Sequence, residues 1–406
     1  MLPLTNTSQK IITRTVWILS LVSLFNDIAS EMLIPVMPVF LKHIGFSVVF
    51  IGVLEGIAEA VAGLSKGYFG KQSDISGKRL PFVQIGYALS AFSKPMLAFF
   101  TFPAWVFLSR TLDRFGKGIR TGARDALLSD EATPQTKGRV FGFHRSMDTA
   151  GAVLGPAIAL IYLYYHPYDY KTLFLITFAP GILVILFTRF IKEKKREPVI
   201  REPQNSKNPF SFFLYWKKSS PQYKRLVTGL LLFALFNSAD IFLLLKMKDS
   251  GLSDAAVIAV YIFYNIVYAI LAYPIGILAD KLGLKKIFIF GLLIFVLVYT
   301  GFALNNNIAV YIFLFFLYGI YAAATDGISK AWISNIVDKS ETASAIGTYT
   351  GLQSICALLA SSFCGLLWYN FEPMVTFLTT AGITLIVVIY LSRLRGHDGL
   401  GPSAPL

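Results

Sequence analysis

Gly70-Lys71-Gln72-Ser73-Asp74-Ile75-Ser76-Gly77-Lys78-Arg79 and, 206 residues further on, Gly276-Ile277-Leu278-Ala279-Asp280-Lys281-Leu282-Gly283-Leu284-Lys285-Lys286 are one pattern written twice. Each copy follows an apolar block long enough to cross a bilayer, for which roughly 20 mostly apolar residues suffice. The duplication continues elsewhere. Gly142 answers to Gly347 at a nearly equal offset, and Leu24-Phe25-Asn26 answers to Leu235-Phe236-Asn237. Two parallel repeats in one membrane chain place a binding site between them, near the bilayer midplane.

Outward from these loops, apolar blocks predict helices near 15–43, 47–69, 80–100, 103–128, 138–164 and 170–191, then 224–248, 252–279, 284–304, 308–334, 342–369 and 373–394. The expected organisation is an all-α membrane protein with a six-helix bundle over 1–191, a basic linker over 192–223, a second six-helix bundle over 224–394 and a tail over 395–406. Composition agrees: 55% of the 406 residues are hydrophobic and 15% charged, too little charge to cover a soluble domain of this length. The net charge of +14 raises nucleic acid as a partner, but its distribution excludes that reading. Between Lys192 and Arg225 ten Lys/Arg face three Glu, half of the whole excess in one connection between apolar blocks. Such a segment marks a cytoplasmic loop with anionic lipid headgroups as neighbours. Under alternation, Lys10, Arg14, Lys71, Lys137, Lys281, Lys339 and Arg393 fall on the same side, so both termini are expected in the cytoplasm of a bacterial inner membrane. Val16–Phe40 is read as a retained first span, not a cleaved signal. Cys356 and Cys364, two helical turns apart, cannot pair with each other.

The repeated Gly-x-x-x-Asp-x-x-Gly-Lys/Arg pattern, within a six-plus-six layout, resembles the most diagnostic motif of the major facilitator superfamily, and the resemblance covers the whole chain. It implies that family's fold, two six-helix bundles related by a pseudo-twofold axis, and a gate element. The gate residues are Gly70, Asp74, Gly77, Lys78 and Arg79, with Gly276, Asp280 and Gly283 in the second copy. Physically, the glycines permit close approach at a tight turn, and Asp74 can cap a helix or pair with a cation. Gly151, Gly155 and Pro156 resemble part of the span-five motif associated with export in this superfamily. The glycines that normally follow are replaced by Ala157 to Leu160, and a small-residue packing seam with a proline kink remains the competing account.

Charge inside the spans locates the candidate site. An ionisable group at the bilayer centre costs roughly 2.5–3.5 kcal/mol on insertion scales, so it should face a cavity or a partner. In span four, Arg110, Asp113, Arg114, Lys117, Arg120, Arg124 and Asp125 share an arc of about 140°. In this superfamily a span-four arginine followed by a glycine is associated with proton transfer or substrate contact; Arg114 fits, with Arg110 as rival and ion pairing with Asp113 as the structural alternative. In span two, Glu55, Glu59 and Lys66 lie on one glycine-lined face, so at least one glutamate is a candidate proton carrier unless both form salt bridges. Span one carries Asn26, Asp27 and Glu31 before Pro35 and Pro38, which are expected to break the helix. Span five adds His144, Arg145 and Asp148. The second half is sparser, and Asn237, Asp240, Asp326 and Trp332 are its candidates for a substrate-facing wall.

These features predict a secondary transporter working by alternating access on a small organic solute, anionic by the arginine stripe, with H+ as coupling ion. The other expected partners are membrane lipids; a monomer suffices, and no cofactor or metal is expected. A nucleotide-binding Gly-x-x-x-x-Gly-Lys-Ser/Thr loop is absent, which argues against a self-contained ATP pump. Export draws on the partial span-five motif. Import of an organic anion, such as a hydroxycarboxylate or a carboxylate siderophore, draws on the arginines. A membrane-embedded enzyme or a non-transporting receptor is a more remote alternative, because no Ser/His/Asp or metal-ligand spacing is recognisable.

Overall fold

The computed structural model describes residues 11–34, 36–46, 48–193, 212–237 and 240–394. Most of the basic linker, the tail beyond 394 and Pro35 lie outside them, as does the side chain of Glu55. Among the described residues there are helices, turns and no strand.

The first crossing is α1 (Arg14–Glu31) followed by α2 (Met37–His43), with the helix interrupted just before the predicted proline break. Thr13 starts it, its hydroxyl accepting the Val16 N–H at 3.3 Å, which satisfies one of the helix's orphan donors. Next come α3 (Val48–Ile75), α4 (Leu80–Met96), α5 (Pro103–Asp130) and α6 (Lys137–Tyr165). The sixth crossing is α7 (Tyr170–Ile176) and α8 (Phe178–Thr188), joined at Thr177. A short α9 (Phe212–Lys218) precedes the second half. There the seventh crossing is again broken, into α10 (Pro221–Phe236) and α11 (Ile241–Asp249), but earlier in the repeat: the break falls at Asn237, whose counterpart Asn26 lies inside α1. It is followed by α12 (Asp254–Leu282), α13 (Leu284–Leu304), α14 (Ile308–Asn335), α15 (Thr342–Asn370) and α16 (Pro373–Arg393).

Seven of these units are long and apolar enough to span a membrane by composition alone: α6, α7 with α8, and α12 through α16. The remaining crossings are broken, short or charge-bearing, and together with α6, α12, α14 and α15 they supply the polar side chains of the interior. One expectation needs correction. The repeated motifs are mostly helix: α3 runs to Ile75 and α12 to Leu282, leaving only short turns. Gly77 (φ +65°) and Gly283 (φ +102°) make those turns in a backbone region that side chains with a Cβ rarely adopt.

Helix packing follows the duplication. The broadest contacts between halves are α6 on α12 and α3 on α15. Both depend on missing side chains. A Cβ on Gly276 would lie 2.3 Å from the Gly138 carbonyl oxygen, and one on Gly142 would lie 2.5 Å from that of Ala272. On the other seam, a Cβ on Gly70 would meet the Ala343 oxygen at 2.5 Å and one on Gly347 the Lys66 oxygen at 2.5 Å. In a bilayer there is no hydrophobic drive between helices, so such close backbone approach supplies the packing. The outer surface is apolar throughout, with Ile161, Ile270 and Ile386 each more than 60% exposed. The interior of the second half is aromatic: Phe295 stacks on Tyr299 with centroids 4.0 Å apart, and Phe302 on Tyr311 at 4.9 Å.

Gly347→Val should therefore push α3 from α15 and lower stability by about 1–3 kcal/mol. Gly382→Ala, at a position with open space around it, should be neutral. Thermal unfolding of the purified protein in detergent separates the two; equal midpoints would refute the packing argument.

Candidate functional site

The two motif aspartates cap helices of the opposite half. Asp74, on the last turn of α3, accepts the Ser344 N–H at 2.7 Å and the Ser344 hydroxyl at 2.8 Å, at the start of α15. Asp280, on the last turn of α12, accepts the N–H groups of Gly138 at 2.7 Å and Arg139 at 3.0 Å, at the start of α6. A carboxylate there satisfies orphan donors and complements the positive end of the helix. Arg79, fully buried, bonds Asp74 at 2.8 Å and the Lys339 carbonyl at 2.7 Å, and pairs with Asp130. Lys137 reaches the Ser334 carbonyl across the same end. The gate-loop end is thus closed by polar contacts between halves. Gly70 and Gly276 lie in the seams, and Lys78 is exposed in the turn.

Above this closure, both halves line a cavity of about 380 Å³. Its floor and walls contain Asn26, Asp27, Glu31, Arg110, Asp113, Arg114, Lys117, Arg145, Asp148 and Asp326, so most of the predicted pathway residues converge. The glycines of α6 explain part of this. A Cβ on Gly151 would sit 2.6 Å from the Leu24 oxygen, and one on Gly155 2.7 Å from the Ile28 oxygen. That seam lays α6 against α1 and brings Asp148 beside Asp27, whose side chains are in direct contact. Pro156 lies within the continuous helix one residue further on.

Pairing in the cavity runs within and across the halves. Lys94 holds Asp113 at 3.0 Å, and Arg124 holds Asp125 at 2.9 Å. Arg145 bridges Asp148 on its own helix and Asp326 on α14, and Lys330 returns the link from α14 to Asp125 at 2.8 Å. Tyr268 donates to Asp326 at 2.7 Å. Arg120 lies over the Tyr87 ring with its guanidinium carbon 4.6 Å from the centroid, and bonds the Ser90 hydroxyl at 2.8 Å. Glu59 stands 3.8 Å from Arg114, half-exposed and beyond hydrogen-bond length.

Other predicted residues sit elsewhere. His144 is buried behind the cavity, its Nε2 without a hydrogen-bond partner. Asp240 accepts from the Tyr318 hydroxyl at 2.7 Å, and Asn237 donates to the Tyr321 hydroxyl at 3.2 Å, so both fasten the broken seventh crossing to the aromatic core. Trp332 borders a separate groove with Arg225 and Arg393 near the gate-loop end. Sequence reasoning gave too little weight to Lys66, Lys330 and Gln353, which line the cavity, and passed over Tyr268, which does so too. Lys330 was detectable, since it stands one helical turn from Asp326.

A polar cavity walled by both repeats, closed at one end and set among helices with apolar outer faces, is the arrangement of a membrane transporter. The chain belongs to the major facilitator superfamily: that family's profile matches residues 19–263 and 226–404. An uncharacterized MFS-type transporter of Methanocaldococcus jannaschii is 32% identical over 387 residues, covering 94% of this chain and 95% of its own. An uncharacterized protein of Mycobacterium tuberculosis is 24% identical over 83% of this chain and 82% of its own. Among solved structures, the human organic anion transporter MFSD10 matches with a TM-score of 0.76 at 17% identity, over 93% of this chain and 99% of its own. The Escherichia coli transporter FucP in the outward conformation matches with a TM-score of 0.75 at 12% identity, over 94% and 99%. Both share the fold.

Asp280→Ala leaves the Gly138 and Arg139 donors uncapped and should destabilise the closed gate-loop end by about 1–3 kcal/mol. The expected readout is faster thiol labelling of a cysteine placed at Ser334, a buried position at the same end. Labelling at the wild-type rate would sink the capping account.

Proposed function

We propose that this chain is a proton-coupled secondary transporter of a small hydrophilic organic anion, working by alternating access in a bacterial inner membrane. The observation that carries the substrate reading is the charge of the cavity: eight Lys/Arg against five Asp/Glu line it among the described residues. Among the described residues its apolar side chains are Ile34 and Ala152, with the ring of Tyr268, a poor match for a lipophilic compound. The Lys/Arg bias along the sequence puts the gate-loop end on the cytoplasmic side, so the state described faces outward. We take 1–191 and 224–394 as the two bodies that rock, with 192–223 as their tether.

For the coupling proton, the contact between Asp27 and Asp148 is the favoured site. Two carboxylates touching at low dielectric repel, and one shared proton relieves that. Ser23 donates to Asp148 and Asn26 donates to Asp27 at 3.1 Å, so the pair is oriented from α1 on both sides. Charge compensation then links the steps. A proton on the acid pair raises the cavity's surplus of positive charge and a bound anion lowers it, so each favours binding of the other and the two cross together. Packing on α1 accounts for Gly151 and Gly155, so they add no weight to export. An importer of a hydroxycarboxylate or a carboxylate siderophore uses the same cation wall.

Comparison of metabolites inside and outside cells with and without the gene is the first test: deletion raises retention of an exported solute and lowers that of an imported one. In liposomes, Asp27→Asn should abolish accumulation driven by a pH gradient while leaving solute exchange. Arg114→Ala should abolish both with normal membrane levels. Gradient-driven accumulation by Asp27→Asn at the wild-type rate would remove the proton assignment.

A further inference from the structure

The cavity's positive charges are not equivalent. Arg114, Arg124, Arg145 and Lys330 each have a carboxylate within ion-pair distance, and Arg120, with none among the described residues, lies over the Tyr87 ring and bonds the Ser90 hydroxyl. Lys66 and Lys117 have none among the described residues. Lys66 is more than nine-tenths buried, and its ammonium donates only to the neutral Ser354 hydroxyl, at 2.8 Å, across the seam between halves. Lys117 is open to the cavity. Their helices touch at this level: a Cβ on Gly118, beside Lys117, would lie 2.3 Å from the Cβ of Ser65, beside Lys66. The two ammonium groups therefore reach the same cavity from adjoining backbone positions on α5 and α3.

A third group completes the site from the other half. Gln353 on α15 lines the same cavity, and its amide has no hydrogen-bond partner among the described residues. Its neighbour Ser354 is fully used, accepting from Lys66 and donating to the Thr350 carbonyl at 3.1 Å. One buried and one cavity-exposed cation, neither with a carboxylate within ion-pair distance among the described residues, next to a free amide donor, are an incomplete arrangement inside a bilayer, and Glu59 acts on both only from beyond that distance. What completes it is negative charge, and two units of it.

We propose that Lys66, Lys117 and Gln353 form the docking point for a compact dianion, so that the transported solute carries a phosphate monoester or a pair of carboxylates. This rests on the transporter reading and narrows its substrate. A monocarboxylate offsets one of the two lysines and leaves the other exposed; a neutral polyol offsets neither. The docking point spans both halves, with Lys66 and Lys117 on the first and Gln353 on the second. Bound anion therefore ties the halves together where Lys66 and Ser354 now meet, and its release frees them. Phosphate and dicarboxylate share this charge and differ in geometry, which the choice of probes separates.

The test is thermal stabilisation of the purified full chain at constant ionic strength by four probes: inorganic phosphate, succinate, acetate and glycerol. Saturable stabilisation by phosphate, succinate or both, with none by acetate or glycerol, is the expected result. Lys117→Met should weaken the effective dianion about tenfold or more, and Lys117→Arg should restore most of it. Gln353→Ala should weaken it less, and as a cavity-facing substitution it serves as the second variant should Lys66→Met fold poorly. Equal stabilisation by acetate, no saturable effect of either dianion, or an unchanged dianion response in Lys117→Met would overturn the proposal. Flux assays keep the two readings apart. Gradient-driven transport of a neutral or singly charged solute leaves the transporter standing and removes the dianion site, whereas dianion stabilisation without flux under any gradient does the reverse.

Discussion

A charged side chain facing hydrocarbon costs roughly 2.5–3.5 kcal/mol, and the organisation of this protein follows from avoiding that cost many times over. The charges of α1, α3, α5 and α6 are turned into one cavity, where they meet each other, residues of α14, or water. Turning them inward obliges the helices that carry them to pack closely, and close packing in lipid requires small residues at the contacts. Gly118 against Ser65, Gly151 against Leu24 and Gly86 against Gly116 are where that requirement is met, each with a Cβ gap under 3 Å. The glycines and the charges are two sides of one constraint.

The second half solves the same problem differently. It carries few charges in its spans and fills its interior with Phe295, Tyr299, Tyr318 and Tyr321, whose rings lie stacked or tilted on one another. Tyrosine hydroxyls there bind Asp240 and Asn237, so those two are held by the core and do not face the cavity, which the second half lines instead with neutral groups such as Asn265, Tyr268 and Gln353. One half is thus a chemically active wall and the other mostly a rigid counterpart. Asp326 and Lys330 are the exceptions, and both pair with residues of the first half.

What was legible in the sequence follows from which signals are local. Span positions were readable because hydrophobicity over 20 residues is a local property, and the observed helices match within a few residues except at the motifs. There the helices run further than their polar composition suggests, since Asp74 and Asp280 find their partners on another helix. Convergence of Asp27, Arg114, Lys117 and Asp148 was readable from helical periodicity. Periodicity gives the face a residue occupies, not its partner. So Glu59 and Lys66 looked alike on one face of α3, yet one stands near an arginine and the other meets a serine of the opposite half. Likewise Asn237 and Asp240 sit at the break of α10 and α11, where their direction is set by tyrosines 80 residues away in sequence.

The duplicated gate shows how far repetition constrains function. Backbone geometry is kept in both copies: a positive-φ glycine, and an aspartate capping the first helical turn of the other half. The cation that follows is not. Arg79 reaches across to the Lys339 carbonyl and also holds Asp74, whereas its counterpart Lys285 turns to the Ser392 and Leu394 carbonyls at the end of its own half. A planar guanidinium can serve several acceptors in a fixed fan, and an ammonium on a flexible stem settles on the nearest carbonyls. The α3–α15 seam is therefore crossed by a buried arginine that reaches a backbone carbonyl, and the α6–α12 seam by Arg139, whose guanidinium stands 3.3 Å from the Asp280 carboxylate. Each seam thus keeps one arginine, supplied from a different sequence position: Arg79 from the motif turn itself, and Arg139 from the helix that the motif aspartate caps.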